Sequence, residues 1–225
     1  MPLKTYTDLV QGTQEWLDAR CGIITASVVG KLITPSTLKP ASNDTARGVM
    51  KTLIAERLTD YVEPIRPTAD MERGTFDEPI ARSIYAEHHA PVQEVGFMVR
   101  DEWGTKIGYS PDGLVGDDGL IEVKSRKQRY QLDTILTGEV PSVHMAQIQC
   151  GLLVSGRDWL DYISYRDGMP LWTKRVHPDP RWHEAIITAA QAFESLATSI
   201  TDQYLRAIEG LPPTERIDYD MMEIF

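Results

Sequence analysis

Two stretches of the chain carry apolar residues at helical spacing over several turns. The first runs through Val49, Met50, Leu53, Ile54, Leu58 and Tyr61, and the second through Ile186, Ala190, Phe193, Ala197, Ile200, Tyr204 and Ile208. Each predicts an amphipathic helix with one face on a core; Asn43 or Asp44 caps the first, and the second is long. Ahead of them, "GTQEWLDARCGIITASVVGKLI" predicts two short helices parted near Gly22, with Thr13 and Thr25 as N-caps. The polar stretch holding Pro35 and Pro40 predicts a mobile loop. Another helical stretch, "ADMERGTFDEPIARSIYAEHHA", contains Gly74 and Pro79. A helix beginning near Asp77 takes Pro79 in its first turn, whereas a longer one is kinked by it.

The period then shortens. Residues 92–100, 106–109, 113–115 and 120–125 are strand-like runs separated by turn residues, and they predict a sheet. A helical pattern over 130–136 ends at Gly138, and a second, "SVHMAQIQCGLLV", has Ser142 as its cap and ends near Gly156. "DWLDYISYRDGMPLWTKRV" predicts a hairpin turning at Asp167 and Gly168. This order of elements predicts an α/β (α+β) fold. No repeat or linker divides it, so residues 1–210 are expected to form one domain, followed by a tail over 211–225 suited to docking or disorder.

Composition narrows the class. The 225 residues are 42% hydrophobic, enough for a real core, and hold no apolar run of membrane-spanning length. The start, "MPLKTYTDLVQGTQEW", lacks the regions of a signal peptide, so a soluble cytoplasmic protein with no membrane partner is expected. Two cysteines, Cys21 and Cys150, support neither a disulfide framework nor a four-cysteine metal cluster. The net charge of −10 argues against a protein coated in basic surface for nucleic acid. A polyanion partner must be held locally, which the run "KSRKQR" over 124–129 suits.

The chemistry concentrates in "SPDGLVGDDGLIEVKSRK", residues 110–127. Gly116, Asp117, Asp118 and Gly119 are turn formers, and the Asp-Gly pair predicts a chain reversal. On the strand that follows, Glu122 and Lys124 share one face, about 7 Å apart, while Val123 points into the core. Asp112, on the far side of the turn, can face Glu122. Paired oxygen donors suit a hard cation such as Mg2+, which also binds phosphate. Lys124 can orient a water, stabilise charge on phosphorus or accept a proton, and the residues alone leave these roles open. A bare pattern of this kind fits a solvent-exposed ion pair on a surface hairpin equally well.

Context decides more. "SPDG" followed by "IEVK", after "RGTFDEPIAR" and before "MAQIQ", with "EWLDARCGIITAS" near the start, resembles the lambda-type exonucleases of viral recombination, members of the PD-(D/E)xK nuclease superfamily. The four motifs cover about residues 14–151. The resemblance implies a restriction-endonuclease-like core: a central mixed sheet flanked by helices, with a long C-terminal helix. It implies metal ligation (Mg2+, with Mn2+ as a substitute) by Asp112, Glu122, the Val123 main-chain carbonyl and Glu78, and catalysis by Lys124 together with these carboxylates. It also implies a 5′-phosphate pocket of Arg20, Ser27, Ser110 and Gln147. Met71 corresponds to an apolar wedge that parts the terminal base pairs, although a core methionine is the plain alternative. His144 departs from the pattern, standing where relatives carry an aromatic hydroxyl.

The implied activity is Mg2+-dependent 5′-to-3′ hydrolysis of the 5′-phosphorylated strand of linear duplex DNA to mononucleotides. A 3′ single strand is left for phage-type recombination by strand annealing. A toroidal homotrimer and a single-strand annealing protein are the implied partners. The alternatives are an endonuclease of the same superfamily and a catalytically silent DNA-binding module, which would have no need of the acid and amine set.

Overall fold

The computed structural model describes residues 3–217. In chain order the elements are β1 (Lys4–Tyr6), α1 (Gln14–Arg20), β2 (Ile24–Thr25), α2 (Ala26–Val29), β3 (Ile33–Thr34), β4 (Lys39–Pro40), α3 (Asp44–Thr59) and α4 (Ala69–His88). There follow β5 (Phe97–Asp101), β6 (Lys106–Tyr109), β7 (Gly113–Val115), β8 (Gly119–Ser125), α5 (Gln128–Thr137), α6 (Met145–Ser155), β9 (Trp159–Tyr165), β10 (Trp172–Val176) and α7 (Pro180–Ala207). The helices begin where local chemistry satisfies free amides: Thr13 accepts from Trp16, Asn43 from Ala46 and Asp179 from Arg181.

Three expectations are corrected. Thr25 is extended but caps no amide; its hydroxyl pairs with Ser27 instead. The segment around Pro35 and Pro40 is a small hairpin, β3 against β4, whose end folds back through Ala41 N–H donating to the Leu32 carbonyl. Ser142 does not cap α6 but opens a single 3-10 turn ahead of it. The strands form two four-stranded mixed sheets, β1-β5-β6-β2 and β10-β9-β8-β7, which with the flanking helices and the long α7 bear out the expected α/β (α+β) fold. An isolated bridge between Gln93 and Leu114 joins the approach to β5 with β7.

Pro79 lies inside α4, resolving that choice in favour of the longer helix. Its missing N–H would have bonded the Thr75 carbonyl, and both residues are exposed, so water can satisfy that oxygen. The inner face of α4 buries Ala81 and Tyr85 against Ile121 and Val123 of β8. The opposite face of β8 belongs to the larger core, where Leu120 packs with Tyr109, Ile148 and Leu160. β8 is therefore covered on both sides, with β7 antiparallel on one edge and β9 parallel on the other.

The reversal between β7 and β8 falls as expected, but Gly119 is already paired with Val115 at the start of β8. The left-handed residue is Gly116, at φ 54°, a conformation that costs glycine little. Arg157 donates to the carbonyls of Gly116 and Gly119 at 2.9 and 2.7 Å and fixes the turn.

On α7, Ile186, Ala190, Phe193 and Ala197 are buried, while Tyr204 and Ile208 at the far end of the same face are exposed. Residues 211–217 form no helix or strand, and the rest of the expected tail lies outside the described residues.

Arg57 ties α3 to α7 by two bonds to Glu194, at 2.7 and 2.9 Å, while Thr105 also donates to Glu194. The Arg57 bond, with help from Thr105, holds Glu194 below the usual carboxylate pKa despite partial burial. A depressed carboxylate stabilises the fold above its unfolded pKa, and that contribution is lost as pH falls through the folded value. Glu194→Gln is expected to lower unfolding free energy by roughly 1–2 kcal/mol at pH 7. Chemical denaturation should show the difference shrinking below about pH 4, near the ordinary glutamate pKa.

Candidate active site

The end of β6 and the turn into β7 deliver three contacts. Tyr109, the last residue of β6, donates from its hydroxyl to Glu122 Oε2 at 3.1 Å. Ser110 meets Arg20 at 3.1 Å, and Asp112 Oδ2 accepts from the Val123 N–H at 2.6 Å. Extending the β7–β8 register by one step sets Asp112 opposite Glu122, as the sequence suggests.

Glu122 is 1% exposed, which rules out the surface ion pair. Its Oε1 accepts from Lys124 Nζ at 2.6 Å and from Gln147 Nε2 at 2.5 Å. Burial alone would lower the Lys124 pKa, but Glu122 and Asp112 outweigh it and hold the amine as an ammonium. Asp112 is pushed well above the usual carboxylate range by burial first and then by Glu122 and Glu78. Glu78, on α4, is raised by burial against the opposing pull of Arg82, with which it pairs.

A cavity of about 390 Å³ is lined by Asp112, Glu122, Val123, Lys124 and Glu78, and also by Arg20, Ser27, Ser110, Gln147 and Met71. Every residue expected to hold metal, hold phosphate, act in catalysis or form the wedge thus borders one space. Within it Arg20, Ser27 and Ser110 form one cluster, whereas Gln147 stands against Glu122. Met71 is 46% exposed, so the core-methionine alternative is overturned.

Arg20 is partnered by neutral groups. Its guanidinium donates to Ser110, Thr25 and Ser27 at 3.1, 3.4 and 3.5 Å and lies 3.7 Å above the Trp16 ring. Burial lowers its pKa to about 10, against the opposing pull of Glu56. No carboxylate is within ion-pair distance of it among the described residues. A desolvated cation ringed by hydroxyls is a seat for an anion.

Residues outside the sequence reading complete the site. Trp16, one helical turn before Arg20, supports the guanidinium and donates to Ser110 at 3.0 Å; the i,i+4 spacing was the available signal. Ser125 donates to the buried Asp77 at 2.6 Å and accepts from Arg73 at 2.9 Å, fastening α4 to the end of β8. Nothing local in the sequence marks that triad. His144 stacks on Tyr162 and contacts Arg126; burial, then Lys124 and Arg126, lowers its pKa to about 3, so it is neutral.

Among the described residues, no three acidic, histidine or cysteine side chains converge closely enough to hold an ion as they stand. The donor set nevertheless fits a hard cation. Three carboxylates border one cavity; Glu122 and Glu78 push up the Asp112 pKa and Glu122 that of Glu78, a repulsion that a divalent ion relieves. Mg2+ uses one or two carboxylates, keeps waters and takes phosphate oxygens, so a preassembled cage is not required.

Residues 15–158 match the YqaJ-like viral recombinase domain. The chain belongs to that family. Membership bears out the lambda-type resemblance and supports a nuclease function. The crystal structure of an alkaline exonuclease (LHK-Exo) from Laribacter hongkongensis is 33% identical, matching 89% of this chain and 100% of that one with a TM-score of 0.78, and its complex with dAMP matches equally. A phage-related exonuclease from Haemophilus somnus 129PT is 14% identical over 79% of this chain and 96% of that one, with a TM-score of 0.53, and shares the fold alone. No curated protein matches the family member described here. None of its described helices is long and apolar enough to cross a membrane.

The raised Asp112 pKa sets a stability prediction. The folded state binds more protons than the unfolded one between the two pKa values, so this group destabilises the metal-free protein as pH rises through that window. Asp112→Asn keeps an acceptor for Val123 N–H and removes the charge. In metal-free protein it should raise Tm by a few degrees at pH 7–8, and the gain should vanish at acidic pH. Differential scanning calorimetry across pH checks this; a lower Tm for the variant at every pH would contradict it.

Proposed function

We propose that the protein is a metal-dependent exonuclease that degrades the 5′-phosphorylated strand of linear duplex DNA from 5′ to 3′, releasing mononucleotides. The observation that carries this reading is that Arg20, unpaired by any nearby carboxylate, opens into the same cavity as Asp112, Glu122 and Lys124. A terminal phosphate held by Arg20, Ser27 and Ser110 lies next to the acid set, because Ser110 and Asp112 are two residues apart on one turn.

Asp112, Glu122, the Val123 carbonyl and Glu78 would hold Mg2+ or Mn2+. When bound, such an ion neutralises phosphate charge and acidifies a water. Lys124, kept as an ammonium by its neighbours, stabilises negative charge building on phosphorus. Water adds to phosphorus and the 3′ oxygen of the terminal nucleotide departs, leaving a new 5′-phosphate on the shortened strand for Arg20. The dAMP complex of the Laribacter enzyme accords with a mononucleotide product. Met71, exposed at the cavity, suits a wedge between terminal base pairs.

With a net charge of −10, prolonged contact with a polyanion calls for enclosure, and a ring of three chains supplies it. The 3′ strand left behind would serve a single-strand annealing protein in recombination. Light scattering should give the mass of three chains.

The test uses linear duplexes labelled at either end, with 5′-phosphate or 5′-hydroxyl termini, beside a closed circle. Wild type should release labelled mononucleotides from phosphorylated 5′ ends, require Mg2+ or Mn2+, and spare the circle; cutting of the circle would make it an endonuclease. Glu122→Gln and Lys124→Ala should lose nearly all cleavage but still bind duplex ends. Arg20→Ala should erase the preference for phosphorylated ends, a loss of roughly 1.5–3 kcal/mol per charge-assisted bond. If that variant still discriminates like wild type, the phosphate pocket lies elsewhere.

A further inference from the structure

Glu122 is held from both ends of its carboxylate, and the two ends are served from different parts of the fold. Lys124 and Gln147 both donate to Oε1, whereas Oε2 receives the Tyr109 hydroxyl at 3.1 Å. The terminal torsion of a glutamate is broad, so donors on one oxygen alone leave the carboxylate plane poorly fixed. The third donor, on the other oxygen, defines it. Tyr109 is itself 1% exposed, so its hydroxyl has no ready exchange with bulk water.

The ring reaches Glu122 because Gly151 leaves room. A Cβ on Gly151 would sit 2.8 Å from Tyr109 Cζ, the carbon that carries the hydroxyl, and 2.9 Å from its Cε1. Gln147 and Gly151 stand four residues apart on α6 and therefore share a face. One turn of the helix thus places an amide on Oε1, and the next provides the slot for the group on Oε2.

We infer that Tyr109 is a positioning residue for the proposed reaction, its hydroxyl fixing the orientation of the Glu122 carboxylate, and that Gly151 is the complementary residue that admits its ring. This rests on the nuclease reading given above. Tyr109 touches neither DNA nor metal in this role, so its loss should act through Glu122.

Tyr109→Phe keeps the ring and removes the hydroxyl. Mn2+ binding, measured by calorimetry without DNA, should weaken several-fold, and kcat should fall roughly tenfold, about the effect of one lost hydrogen bond to a charged group. KM for duplex ends should stay at the wild-type value. Gly151→Ala, which presses on the ring without removing a polar atom, should show the same pattern and carries the test if Tyr109→Phe does not fold. Wild-type Mn2+ affinity and wild-type kcat in a folded Tyr109→Phe would overturn the assignment and leave the tyrosine a packing residue. If wild type binds Mn2+ but cuts no DNA, the nuclease reading falls, and loss or retention of Mn2+ affinity in Tyr109→Phe then upholds or overturns the positioning role by itself.

Discussion

A carboxylate buried on a strand covered on both sides is the constraint around which this molecule is built. Glu122 points from β8 into the larger core, where an unpaired charge would cost several kcal/mol. Its neighbours follow from that cost. Lys124 must sit two residues along the same strand face to supply opposite charge, α6 must pass close enough for Gln147 to donate, and β6 must end where Tyr109 can reach the second oxygen. The same crossing of β6, β8 and α6 brings Ser110 and Asp112 to the cavity. Two distant motifs therefore meet because one acid has to be satisfied.

Alternation along β8 serves two cores. Ile121 and Val123 bind α4, the helix that carries Glu78, and Leu120 binds the opposite cluster. Shifting the register of β8 by one residue would put Glu122 and Lys124 beneath α4 and expose the isoleucine and valine to the cavity. Pairing with β7 on one edge and β9 on the other prevents that shift, and the Asp112 carboxylate accepting from Val123 N–H sets a further check within the site itself.

Much of this was legible in the chain. Period-two spacing put Glu122 and Lys124 on one face, and the turn residues between Val115 and Leu120 brought Asp112 back to them. The helix over residues 44–59 and the core face of the long C-terminal helix were also readable, because apolar spacing reports burial directly. What was hidden depends on partners remote in sequence. The hairpin at 33–40 has two-residue strands, too short for any period to register. Pro79 lies inside α4 at an exposed position, as does Thr75 one turn before it, a fact of placement rather than of local pattern. Gln147 was assigned with the phosphate cluster by resemblance, whereas its observed partner, Glu122, is fixed by how α6 crosses β8.

The charges left over point to the ligand. Arg57, Arg82 and Arg175 each hold a carboxylate, so the fold consumes them internally. Arg20 lies desolvated among hydroxyls and an indole face, lacking an anion, while Asp112 crowds Glu122 in the same cavity with Lys124 as their cation, and Glu78, though paired with Arg82, adds negative charge beside them. These deficits have opposite sign and share one space. An anion alone would satisfy Arg20 but be repelled by the acids, and a divalent cation alone would ease the acids but leave Arg20 bare. A phosphate-bearing chain together with a divalent cation meets both needs at once, and with the chain's net charge of −10 that balance has to be struck locally, at this cavity, rather than over the surface as a whole.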